Sequence, residues 1–92
     1  MLSGKIPTAT RRAVYMRENY ACALCERPGV IHIHHAKPRS LGGSNALSNL
    51  IALCPVCHAI AHGEYRLAKQ FPFDQATAQD AIAYYLEYTQ PP

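Results

Sequence analysis

Two Cys-x-x-Cys pairs, Cys22-Ala23-Leu24-Cys25 and Cys54-Pro55-Val56-Cys57, stand 28 residues apart in a chain of only 92 residues. A turn of this kind sets two sulfurs about one tetrahedral edge apart, and two such turns close a four-thiolate zinc site with Zn–S bonds of ~2.3 Å. Pro55 pre-sets the backbone of the second turn. A chain this short buries roughly 60–65% of its unfolded surface, so its apolar core is a marginal source of stability and a staple is expected. Disulfides are the poorer reading. Met1-Leu2-Ser3-Gly4-Lys5 is not followed by the apolar run of a signal peptide, and Cys-x-x-Cys disulfides are usually redox-active rather than structural. A thioredoxin-like role would need one pair and a βαβ context, and neither condition is met. Structural Zn2+ on Cys22, Cys25, Cys54 and Cys57 in an intracellular, cytoplasmic protein is therefore the expectation.

The four cysteines and all five histidines lie between Cys22 and His62, so the chemistry is concentrated in the middle of one domain, residues 1–92. Around it the pattern is small α+β. Thr8 or Thr10 can cap a helix that runs to about Glu18, where Asn19 suits a left-handed stop. Val30-Ile31-His32-Ile33-His34 is β-branched and alternating, which predicts a strand. Pro38, Gly42-Gly43 and Ser44-Asn45 mark residues 37–49 as loop. Leu50-Ile51-Ala52-Leu53 reads as a short buried strand, and a helix beginning near Pro55 or Val56 should run past His62, with Gly63 as either its stop or a tolerated break. Ala78, Ala81, Ile82, Tyr85, Leu86 and Thr89 recur at helical spacing, giving a helix over about 74–89 capped by Asp74, or by Thr77 with Asp80. No apolar stretch approaches the ~18 residues of a membrane span.

His58 and His62 are four residues apart on one helix, so their imidazoles project from one face. A hairpin between the two strands would return that helix to the side of His34, and three imidazoles converging from a strand and a helix make a second metal site. His34 and His35 point to opposite faces of a regular strand. Both can serve one site only if the pleat is lost there, which the restricted Lys37-Pro38 step favours. His32 aligns with His34 and is either a neighbour of the site or a ligand in its place.

The run His34-His35-Ala36-Lys37-Pro38-Arg39-Ser40-Leu41-Gly42-Gly43, followed by Asn49-Leu50, Cys57-His58 and His62, resembles the HNH endonuclease motif. The lead-in Arg11-Arg12-Ala13-Val14 and Asn19-Tyr20-Ala21-Cys22-Ala23-Leu24-Cys25 is similar to that of zinc-containing members, so the likeness spans about residues 10–63, with a motif core over about 20–63. The resemblance implies a ββα-metal (His-Me finger) motif on a four-cysteine zinc scaffold, flanked by N- and C-terminal helices. It implies His34, His58 and His62 as ligands of a catalytic divalent metal and His35 as general base. Asn49 would span the loop and fix the backbone and ring of His35. Many relatives have a glutamate where this chain has His32. The implied activity is hydrolysis of DNA phosphodiesters by a one-metal mechanism, nicking with low sequence specificity. Three neutral imidazoles suit Mn2+, Ni2+, Co2+ or Zn2+ better than Mg2+.

Charge agrees with a polyanionic partner. The net charge is +3, but residues 1–45 carry Lys5, Arg11, Arg12, Arg17, Arg27, Lys37 and Arg39 against Glu18 and Glu26 alone. Lys37 and Arg39 on the loop, with Arg11, Arg12 and Arg17 on the first helix, are the candidate DNA contacts, all to phosphate. The C-terminal helix has Asp74, Asp80 and Glu87 and no basic residue, so it should face away from DNA and either dock on the core or offer a homodimer or partner interface. Two other classes fit less well: a zinc-stabilised nucleic-acid-binding module without catalysis, and a zinc-structured protein adaptor. Structural zinc sites contribute on the order of 10 kcal/mol, as much as the whole stability of a small domain. A strong chelator, or Cys25→Ala, is therefore expected to abolish the cooperative thermal transition. A sharp transition in metal-free protein would contradict this.

Overall fold

In the computed structural model, which describes residues 5–63 and 74–89, the organising element is the apolar run Leu50–Leu53. It forms a strand in which all four residues are buried. Its alternate side chains belong to two different clusters. Ile51 and Leu53 pack with Cys22, Cys54, Cys57, Ala61, Ile82 and Leu86, while Leu50 and Ala52 pack with Ile6 and Val14. A strand covered on both faces reads as a continuous apolar run rather than an alternating one, which is why this segment has no polar side.

We number the helices α1 (Thr8–Arg17), α2 (Pro55–Ala61) and α3 (Gln75–Tyr88), and the strands β1 (His32–His35) and β2 (Leu50–Leu53). The strands form an antiparallel pair with His32 opposite Leu53 and His35 opposite Leu50. This is the small α+β, ββα-metal arrangement: a two-stranded hairpin, α2 directly after β2, and flanking helices at either end. The strand β1 starts two residues later than its β-branched pattern suggests. Its partner is only four residues long, so Val30 lies beyond the ladder and is exposed. The loop between the strands contains two 3-10 turns, Arg39–Leu41 and Leu47–Asn49.

The helix ends differ from expectation in instructive ways. Neither Thr8 nor Thr10 caps α1; Pro7 occupies the N-cap position with no side-chain cap, and its carbonyl already accepts from the Arg11 amide at 3.0 Å. At the other end Asn19 is left-handed as expected, with φ +57°. The helix α2 stops at Ala61 instead of running past His62, because Gly63 turns left-handed at φ +84°. The Ala61 carbonyl is then taken by the side-chain amides of Gln75 and Gln79, both at 3.2 Å, which satisfies one of the orphan acceptors of that end. Asp74 caps α3 by accepting from the Thr77 amide at 2.9 Å. The apolar stripe of α3 is used within the chain: Ala78, Ile82 and Leu86 are buried, and the latter two pack around the cysteine-lined cluster.

The edge of β2 away from β1 is covered by side chains and one short segment rather than by a third strand. Arg17 donates to the Leu50 carbonyl, the Ala52 amide donates to Glu18 at 3.0 Å, and the Ala23 amide donates to the Ala52 carbonyl at 2.9 Å. Buried backbone groups need such partners, and an unpaired edge invites association. The Glu18 side chain is fully buried and pairs with Arg17 Nε at 2.6 Å. The Tyr85 hydroxyl from α3 donates to the same carboxylate at 2.7 Å. Burial and this bond push the Tyr85 phenol up to about 12. Removing one partner of a buried ion pair leaves the other uncompensated, so Glu18→Ala should cost about 3–5 kcal/mol. Tyr85→Phe, which removes one hydrogen bond, should cost about 1–2 kcal/mol. Denaturant melts of zinc-saturated protein measure both, and equal small losses would refute the pairing.

Candidate functional site

The four sulfurs of Cys22, Cys25, Cys54 and Cys57 all lie within 4.8 Å of one another. Cys25 and Cys54, from different pairs, are 3.6 Å apart, close to the roughly 3.8 Å edge that ~2.3 Å Zn–S bonds dictate. Each pair carries its own amide donor: Cys25 N–H to Cys22 Sγ at 3.5 Å, and Cys57 N–H to Cys54 Sγ at 3.4 Å. The Cys57 thiol, hydrogen-bonded to Cys22, pushes Cys22 down to about 4, and the same bond pushes Cys57 up. Four thiols this close cannot all ionise without a compensating cation. A dication resolves that conflict, and the donor set is that of structural zinc.

A second cluster brings together His34, His58 and His62, with one ring nitrogen of each within 4.8 Å of the others. The pleat puts His34 on the α2 side of β1, opposite Ile51. The helical repeat brings His58 and His62 to meet it, with ring centroids 5.2 and 4.9 Å from that of His34. His58 Nε2 and His62 Nε2 are 3.1 Å apart. Metal–nitrogen bonds of ~2.1 Å set two ligand nitrogens roughly 3.0–3.4 Å apart, so this spacing fits a shared cation. His34 Nδ1 is buried with no hydrogen-bond partner among the described residues. Burial first, then the neighbouring imidazoles, lowers His34 to about 4 and also lowers His58. Both rings are thus neutral near pH 7 and offer lone pairs.

His32 stands outside this trio. Its Nδ1 is 3.3 Å from His58 Nδ1, on the opposite side of the His58 ring from the nitrogen that faces His62.

The strand keeps its pairing through His35, and the Ala36 amide extends it to the Asn49 carbonyl at 2.9 Å. No loss of pleat is therefore needed. Lying at the end of the ladder, His35 still borders an open cleft of about 190 Å³ lined by Ile33, His34, Pro38, Arg39, His58 and His62. Asn49 spans the loop: it accepts from Lys37 N–H at 2.7 Å and donates to the carbonyls of Lys37 and Ser44 at 3.1 and 2.9 Å. The loop closes so tightly that a Cβ on Gly43 would overlap the Lys37 carbonyl oxygen. Asn49 thereby holds the backbone after His35, but the contact to the His35 ring comes from Asn45, whose Oδ1 is 2.8 Å from Nε2. Asn45 carried no signal in the sequence beyond marking a loop.

The basic candidates separate. Arg39 lines the cleft, and Lys37 is exposed beside it with its ammonium near Gly42. Arg11 and Arg12 are exposed on α1. Arg17 does not join them: Glu18 and the carbonyls of Leu47 and Leu50 occupy its guanidinium, which also lies 5.8 Å from the Tyr85 ring centroid.

Residues 22–64 match the family model described as HNH endonuclease. The chain is also similar to a protein named Anaredoxin from Nostoc sp. (strain PCC 7120 / SAG 25.82 / UTEX 2576), with 40% identity over 52 residues, covering 54% of this chain and 68% of that one. No solved structure matches. The two clusters predict two separable classes of metal. His58→Ala or His62→Ala should weaken one equivalent by more than about 10-fold, since even residues that merely support a ligand contribute that much, and should leave the thiolate-bound equivalent in place. Metal titration with a chromogenic competitor reads both, and two unaltered equivalents in either variant would exclude the imidazole site.

Proposed function

This chain belongs to the HNH endonuclease family, and on that premise we propose that it is a metal-dependent DNA endonuclease with His35 as general base. The observation that carries the proposal is the single cleft bordered by His34, His35, Arg39, His58 and His62, in which a cluster of three imidazoles adjoins a fourth. A divalent cation held by His34, His58 and His62 would supply positive charge for the phosphate oxygens and the leaving 3′ oxygen.

The chain's own residues do the rest. His35 takes a proton from a water whose oxygen attacks phosphorus in line. As the P–O3′ bond breaks, the leaving oxygen takes a proton from solvent. Imidazole is the side chain best suited to take up a proton at neutral pH. Asn49 holds the loop that follows His35 closed and does not touch substrate. His32 offers its Nδ1 to the Nδ1–H of His58, the place a carboxylate often takes behind a metal-bound histidine. Arg39 and Lys37 bind phosphate beside the cleft, and Arg11 and Arg12 add attraction at longer range. Contacts of this type carry affinity without sequence information, which supports a nicking enzyme of low specificity.

Plasmid nicking over a metal panel tests this reading. His35→Ala should abolish nicking while both metal equivalents and DNA binding persist, because it removes the base and no ligand. Mn2+, Ni2+, Co2+ or Zn2+ should support nicking at lower concentrations than Mg2+, which prefers oxygen ligands. Near-normal turnover by His35→Ala would remove His35 from the role. Equal activation by Mg2+ at low concentration would argue for an oxygen-rich site instead.

A further inference from the structure

We propose that Asn45 is the positioning residue for His35: its side-chain carbonyl accepts the Nε2–H of the imidazole and leaves Nδ1 as the nitrogen with the open lone pair. The inference rests on the reading of His35 as general base and identifies the atom that takes the proton.

Asn45 has a second contact at the other end of its amide. Its Nδ2 lies 3.3 Å from the backbone carbonyl of Lys5, just ahead of α1. A backbone carbonyl can only accept, so the amide nitrogen must face it. Turned the other way, the amide would set two carbonyl oxygens against each other. Oδ1 is therefore the atom 2.8 Å from His35 Nε2. An amide oxygen at that distance is favourable only if the ring nitrogen carries a hydrogen. A neutral imidazole has a single N–H, so Nδ1 is bare.

Asn49 cannot supply this contact, because its amide is already engaged with Lys37 and Ser44. The two asparagines divide the work: Asn49 shapes the loop, and Asn45, carried on that loop, addresses the ring. When Nδ1 takes a proton, Nε2–H stays on Asn45 Oδ1, so the same bond serves the ring before and after the transfer.

The test uses the full chain saturated with zinc and labelled with 15N-histidine. Long-range 1H–15N spectra at pH about 8.5, well above the ordinary imidazole value, distinguish protonated from bare ring nitrogens. The unaltered protein should show His35 protonated on Nε2, Asn45→Asp should keep that form, and Asn45→Ala should give a mixture of tautomers. If Asn45→Ala unfolds, Asn45→Leu provides the comparison at nearly the same volume without an acceptor. In plasmid nicking, Asn45→Ala should lower kcat between about 10- and 100-fold with KM unchanged, as expected for a misdirected base, and Asn45→Asp should recover most of the loss. A proton on Nδ1 in the unaltered protein, or an unchanged tautomer in Asn45→Ala, overturns the proposal whatever the nicking rates. Expected spectra with no nicking by the unaltered chain would support the Asn45 contact and sink the nuclease reading instead.

Discussion

Four sulfurs meeting within 4.8 Å join segments that the chain itself keeps far apart. Cys22 and Cys25 belong to the turn after α1, whereas Cys54 and Cys57 belong to the junction of β2 and α2. That junction also starts the helix on which His58 and His62 stand, so the placement of the imidazoles follows from the placement of the thiols. The coupling is local and physical. Cys54 Sγ accepts the Cys57 amide as the N-cap of α2, and Pro55 fills the first helical position, where no amide is needed. A helix of seven residues would not hold its direction alone in water. Here its start is fixed by the cysteine turn, its inner face by Ile60 and Ala61, and its end by two glutamines from α3.

A second constraint acts from the other side of β2. Arg17 and Glu18 are adjacent in sequence and both turn inward to pair with the outer edge of the strand, while Tyr85 locks the carboxylate from α3. The site therefore rests on a strand clamped along its full length, by β1 on one edge and by an ion pair and Ala23 on the other. Such a buried pair adds little net stability compared with apolar packing, but it penalises any other register of β2. Register matters here, because a slip of one residue would turn His34 away from α2.

Most of the fold was legible because its signals are local. The apolar run Leu50–Leu53, the spacing of His58 and His62, the two cysteine turns and the Asp74 cap each depend on residues close in sequence. The misreadings have tertiary causes. The last turn of α2 is shortened where amides from α3 take the Ala61 carbonyl, and β1 is trimmed by the length of its partner. Arg17 looked like a surface cation, but its role depends on a carboxylate next door being buried. Asn45 was invisible as a site residue because its two partners, Lys5 and His35, are distant in sequence from each other.

The alternation of β1 separates two demands that a single cleft must meet. His32 and His34 share the face toward α2, where both meet the His58 ring and burial keeps the His34 imidazole neutral. His35 leaves the strand on the other side, where its hydrogen-bond partner is an amide on the loop rather than another imidazole. Placed at the end of the strand, it borders the same cleft without joining the cluster. Two neighbouring histidines with different partners thus acquire different chemistry from one-residue spacing, and the tight turn at Gly43 with Asn49 across it keeps the second of them from following the first.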